Sequence, residues 1–135
     1  MAAKIDMQDL RLAVEPFDEE AFRARIRAIL PAIAARAADT ERNRRVPDET
    51  IGELREAGLF KLPQPPEYGG YEQDFDLLNE ILQDISAACA STGWVCGVLT
   101  CHQWMLATCD PEAQQDVWGA DPGAVLCGSY APAAT

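Results

Sequence analysis

The run from Ser91 to Leu106, S-T-G-W-V-C-G-V-L-T-C-H-Q-W-M-L, contains no charged side chain, and its apolar residues do not keep to one face. A helix of this composition is expected to be buried on nearly every side, as the axis of a bundle. The run is shorter than the roughly 20 apolar residues that a membrane span requires, so a protein core is the better destination. His102, the single histidine of the chain, stands inside it. A neutral imidazole titrates near pH 7 and suits a base or a hydrogen-bond partner. The other reading is a core histidine bonded to a backbone carbonyl.

The flanking segments supply helices to surround that axis. Phe75 to Cys89 places Leu77, Leu78, Ile81, Leu82, Ile85 and Ala88 at helical intervals, with Asp76, Glu80, Gln83 and Asp84 on the wet side. Ser91 or Thr92 is then the expected cap of the central helix. Gly93 and Gly97 each cost a helix ~1 kcal/mol relative to alanine, which calls for tight helix packing or the close approach of a flat ligand. Further upstream, Phe22, Ile26, Ile29, Leu30 and Ile33 predict an amphipathic helix from Asp18 to about Arg44, kinked or restarted at Pro31. Val46-Pro47-Asp48-Glu49 starts another, with Ile51, Leu54 and Ala57 facing inward, and Gly58 ends it. Three prolines and two glycines between Leu62 and Gly70 make a shaped loop, read as a connector.

After the central run, Asp110-Pro111-Glu112 opens a short helix that closes near Trp118-Gly119, and Asp121-Pro122-Gly123 is a turn. Ala124 to Tyr130 then reads as a strand. Its donors and acceptors have no strand to meet and are left for water or another polypeptide. The expected architecture is all-α: a loosely held arm over residues 1–17, a helical bundle over 18–120, and over 121–135 the first strand of a further domain.

A chain of 135 residues supports one such domain. The net charge of −11 is uneven: no lysine or arginine follows Lys61, whereas acidic residues continue from Glu67 to Asp121. That surface repels phosphate backbones and anionic lipid, which argues against nucleic acid or membrane as partners. The later half also offers no cationic side chain to a nucleotide phosphate. Five cysteines without a C-x-x-C pair, beside one histidine, argue against a metal site and for reduced thiols. Cys96, Cys101 and Cys127 are read as small core residues. Residues 1–10 carry Lys4, Asp6 and Asp9 and lack the apolar stretch of a signal peptide, so a cytoplasmic location is expected.

Arg45-Val46-Pro47, Glu56-Ala57-Gly58-Leu59-Phe60, Pro66-Glu67-Tyr68-Gly69-Gly70, Ser91-Thr92-Gly93-Trp94-Val95, His102-Gln103-Trp104 and Gly128-Ser129-Tyr130-Ala131-Pro132, in this order, resemble the N-terminal helical domain of the acyl-CoA dehydrogenase fold. The S-T-G-W-V and H-Q-W pieces are similar to its oxygen-using branch, the oxygenase components of two-component flavin monooxygenases that hydroxylate phenols. The resemblance implies a flavoprotein oxidoreductase that receives reduced FMN or FAD from a separate flavin reductase. Dioxygen would form a C4a-hydroperoxyflavin, whose distal oxygen passes to an aromatic substrate. It further implies His102 at the reacting hydroxyl as catalytic and substrate-binding residue, Ser129 near both substrate and flavin, and Trp94 beside the flavin. Residue chemistry alone leaves Ser129 equally readable as a solvent-facing serine and Trp94 as a large core side chain.

The length departs from that pattern. The family continues into a β-domain and a C-terminal helical bundle, so a fragment, a split-gene product or a truncated relic is expected, with a homo-oligomer or a complementing chain supplying the rest. Two alternatives stay open: a non-catalytic helical interaction or oligomerisation module, and a flavin monooxygenase relative that oxidises sulfur or nitrogen.

Overall fold

The computed structural model describes residues 16–128. They form six α-helices: α1 (Glu19–Ala35), α2 (Ala37–Asn43), α3 (Asp48–Glu56), α4 (Phe75–Ala88), α5 (Ala90–Ala107) and α6 (Pro111–Gln114). α1 and α5 flank α4, and the core lies where these helices meet the chain around Leu59 to Leu62. Phe22, Ile26 and Ile33 of α1 join Leu77, Leu78, Ile81 and Ile85 of α4 and Leu54 of α3 in one buried cluster. The helical spacing of these residues is what brings them to one side of each helix.

Local chemistry accounts for the boundaries. Asp18 caps α1 by accepting from the Ala21 amide at 2.9 Å, and Asp74 caps α4 from the Leu77 amide at 3.1 Å. Gly58 ends the α3 region in the left-handed conformation, at φ 92°. α1 runs through Pro31 without restarting there. Pro31 and Arg27 are both exposed, so the Arg27 carbonyl that proline leaves without a helical donor belongs to the wet side of the helix. The restart comes at Arg36, whose guanidinium donates to both Glu53 carboxylate oxygens (2.7 and 3.1 Å) and to Thr50 Oγ1 (3.1 Å).

One further expectation needs correction. Ser91 and Thr92 lie within the first turn of α5 and do not cap it; the cap is Cys89, in extended conformation, with no side-chain hydrogen bond. Residues 1–15 of the expected arm lie outside the described residues, while Phe17 packs its ring 4.9 Å from that of Tyr71. Among the described residues no helix is long and apolar enough to cross a membrane.

The proline-rich loop folds back on itself. Tyr71 and Gln73 donate to the carbonyls of Lys61 and Leu62, and the buried Gln64 carboxamide donates to Tyr68 (3.1 Å) and onward to Pro122 (2.9 Å). Arg55 donates to the Gly123 carbonyl at 2.9 Å. The loop is therefore more than a connector: it anchors the turn that launches residues 124–128.

Candidate functional site

α5 reverses the usual disposition of side chains. Its buried positions include Thr92, Thr100 and Gln103, while Trp94 is 75% exposed and Val98, Cys101 and His102 are only half-buried. The helix is therefore not buried on nearly every side. Neighbours α4, α2, α6 and the turn at Leu59–Lys61 cover one side of it, and its outer face stays open. Thr100 is accommodated inside because its hydroxyl donates to the Cys96 carbonyl of its own helix at 2.8 Å.

Along the open face runs a groove of about 400 Å³ whose lining includes Gly93, Gly97, Val98, Cys101 and His102, with Trp94 at its rim. The two glycines have different reasons to be there. A β-carbon on Gly93 would lie 2.8 Å from Ser86 Cα, so this glycine lets α4 and α5 approach each other. One on Gly97 would meet only Leu82 Cδ1 at 3.9 Å, an ordinary contact, so helix packing does not account for it. Its missing side chain keeps the groove floor low.

His102 Nδ1 lies 2.7 Å from the Val98 carbonyl oxygen. A carbonyl only accepts, so Nδ1 carries the hydrogen, and in the neutral ring Nε2 is the basic nitrogen. The ring satisfies the backbone-bonded reading and also faces the groove, so it is not a core histidine. Gly128 closes on its other side: a β-carbon there would stand 2.8 Å from Nε2 and 3.1 Å from Cδ2.

The segment that delivers Gly128 is held by a side chain that the sequence did not single out. Gln103 is 1% exposed; its Nε2 donates to the Ala124 carbonyl at 2.9 Å and its Oε1 accepts from the Leu126 amide at 3.2 Å. Residues 124–128 are not a strand, and two groups of the expected edge, the Ala124 carbonyl and the Leu126 amide, are met by the Gln103 carboxamide. The signal available beforehand was a glutamine placed in an apolar helical run, three positions from Thr100.

Among the other predicted positions, Ser129 lies outside the described residues. Trp94 is a rim residue and not a core side chain. Of the three cysteines read as core, only Cys96 is fully buried, and burial pushes its thiol up to about 12. Cys101 lines the groove and Cys127 is exposed. Beyond Trp94 a second groove of about 530 Å³ includes Arg44 and Arg45 in its lining, so the fold brings first-half cations to the start of α5. Arg45 pairs with Asp48 at 2.7 Å, and Glu41 shares the groove. Among the described residues no three His, Cys, Asp or Glu side chains are grouped to hold a metal ion.

Residues 16–121 match the family model described as acyl-CoA dehydrogenase, N-terminal domain. The chain is 44% identical over 108 residues to the oxygenase subunit HsaA, a flavin-dependent monooxygenase of Rhodococcus jostii (strain RHA1), covering 80% of this chain and 28% of the relative. It is 47% identical over 108 residues to the oxygenase component of an FADH2-dependent resorcinol hydroxylase of Rhizobium sp. (strain MTP-10005), covering 80% of this chain and 26% of that one. The crystal structure of the HsaA monooxygenase from M. tuberculosis superposes with a TM-score of 0.82 at 42% identity, over 86% of this chain and 32% of the solved one. The chain thus spans less than a third of the length of these proteins.

Proposed function

The chain belongs to the acyl-CoA dehydrogenase N-terminal domain family, and on that premise we propose that it forms the N-terminal portion of a reduced-flavin-dependent monooxygenase oxygenase component that hydroxylates a phenolic ring. The observation that carries this reading is the inverted face of α5, where an imidazole of fixed tautomer, a groove floored by glycine and an exposed tryptophan occur together. A groove of this size and mainly apolar wall suits a planar ring system.

Within that groove Trp94 and Gly97 offer flat apolar surface to a flavin or an aromatic substrate. Reduced FMN or FAD, when bound, would supply the two electrons that activate dioxygen, and dioxygen the oxygen atom that reaches the ring. His102 accepts the phenolic proton at Nε2, and the resulting phenolate character makes the ortho carbon a better nucleophile. The Val98 carbonyl holds the ring in the tautomer that this task needs. Ser129, one residue beyond Gly128, is the proposed hydroxyl partner of substrate and flavin.

In this reading residues 18–120 are the helical domain and residues from 121 onward lead into a β-domain. The partners are a flavin reductase, an aromatic small molecule and dioxygen, in the cytoplasm. A homo-oligomer or complementing chain supplies the remaining domains. In the full-length oxygenase that carries this segment, His102→Ala is expected to slow hydroxylation by ~10²–10⁴-fold and to change its pH profile. Unchanged hydroxylation with an unchanged pH profile would overturn the role of His102. Anaerobic titration of the 135-residue chain with reduced FMN and reduced FAD then reads which flavin it binds.

A second reading, a helical interaction module, has its own observation. Phe75 and Trp104 stack edge to face with centroids 5.2 Å apart, yet stay 41% and 43% exposed. Large exposed aromatics of this kind mark surfaces that another polypeptide covers.

A further inference from the structure

We propose that Gln103 is a positioning residue for His102: its carboxamide replaces a neighbouring strand and holds Gly128 against the imidazole. The inference rests on reading His102 as the base of the site. Gln103 and His102 are adjacent on α5 but point to different sides, one buried and one facing the groove. Residues 124–128 connect the two, held by the Gln103 side chain at one end and meeting the His102 ring at the other. The two Gln103 hydrogen bonds go to the carbonyl of residue 124 and the amide of residue 126, the pair of groups that a residue in a parallel strand would engage. They fix both the position and the register of the segment.

Two other clamps act upstream and leave this step to Gln103. Arg55 holds the Gly123 carbonyl, and Gln64 holds that of Pro122. Neither reaches past the turn; beyond it the segment is held by the packing of Val125 against the core and by the Gln103 pair, whose last bond lies two residues before Gly128. Glycine at 128 is part of the device, because a β-carbon 2.8 Å from Nε2 would displace the ring or the segment. A buried carboxamide with both ends used by backbone groups is also costly to disturb, since either partner left alone in the interior loses its hydrogen bond.

His102 is the only histidine, so its ring signals identify themselves in a nuclear magnetic resonance spectrum of the 135-residue chain. In the unaltered chain an Overhauser contact between the His102 ring and the Gly128 α-protons is expected, together with slow exchange of the Leu126 amide. Gln103→Met, which keeps the volume and removes both hydrogen bonds, is expected to abolish the contact and speed Leu126 exchange at least tenfold, with helix content unchanged. Leu126→Pro removes one bond from the segment's side and is expected to abolish the contact as well; it decides the matter if Gln103→Met does not fold. Gly128→Ala is expected to shift the His102 ring signals. Persistence of the contact in a folded Gln103→Met chain, or in Leu126→Pro, overturns the proposal. These readouts need no flavin, so they fail or succeed independently of the hydroxylation measured with His102→Ala.

Discussion

α4 and α5 lie side by side and dispose of their side chains in opposite ways. α4 buries Leu77, Leu78, Ile81 and Ile85 and shows Asp76, Glu80 and Asp84 to water. α5 buries Thr92, Thr100 and Gln103 and leaves Trp94 and Trp104 exposed, with Val98 and Cys101 half-covered. One helix uses its apolar residues to make the fold; the other keeps part of them available. Because apolar surface left in contact with water forgoes ~25 cal/mol per Å², such a face is retained where something else is to cover it. The same residue types fill the core in one helix and stay partly exposed in its neighbour.

The comparison breaks first at the core. Ile85→Ala on α4, at a fully buried position, is expected to lower stability by ~2–5 kcal/mol in a denaturant titration. Next in size, Gly93→Ala forces a β-carbon toward the Ser86 backbone and is expected to cost ~1–3 kcal/mol, although alanine is the better helix former. Gly97→Ala, one turn along the same helix, meets no such obstacle and is expected to raise stability by up to ~1 kcal/mol while weakening flavin or phenol binding. A loss of stability there would place Gly97 with Gly93 as a packing glycine and remove one support of the groove reading.

The smallest effect lies away from both helices. The hydrogen bonds from Arg36 hold the Glu53 carboxyl below its ordinary value of 4.5. The folded state therefore binds this proton less readily than the unfolded chain does. The resulting stabilisation is complete above the unfolded value and is lost as pH falls through the folded one. Glu53→Gln is expected to lower stability slightly at neutral pH and to make the acid side of the stability profile shallower, which thermal unfolding between pH 2 and 6 would read. No comparable change is expected on the outer face of α5, which carries no carboxylate between Ala90 and Ala107.

Periodicity placed α4 and the start of α1, because their buried residues recur at helical intervals, and that spacing is a property of the chain alone; α3 was placed by its start and stop signals and α5 by an uncharged apolar run. Motif chemistry likewise placed the turn at 121–123, where Asp121 Oδ1 accepts from the Gly123 amide at 2.9 Å. The break at Arg36 was not legible, since it depends on Glu53 and Glu49 arriving from α3. At the site, residue type marked His102 and Gly97, and the family resemblance marked Trp94. It misjudged how α5 is covered, because an all-round apolar helix looks the same whether neighbours close over it or leave a side open.

Short-range spacing and composition are therefore enough to give the helices, apart from the separation of α1 from α2, and the identity of the one imidazole. Only the tertiary structure decided which side of α5 stays open, that Gly93 packs while Gly97 does not, and that Gln103 grips residues 124–126 to bring Gly128 against His102. The physical reason is that each of these is a contact across 20 residues of chain or a helix interface, and no local spacing encodes what a side chain will meet there.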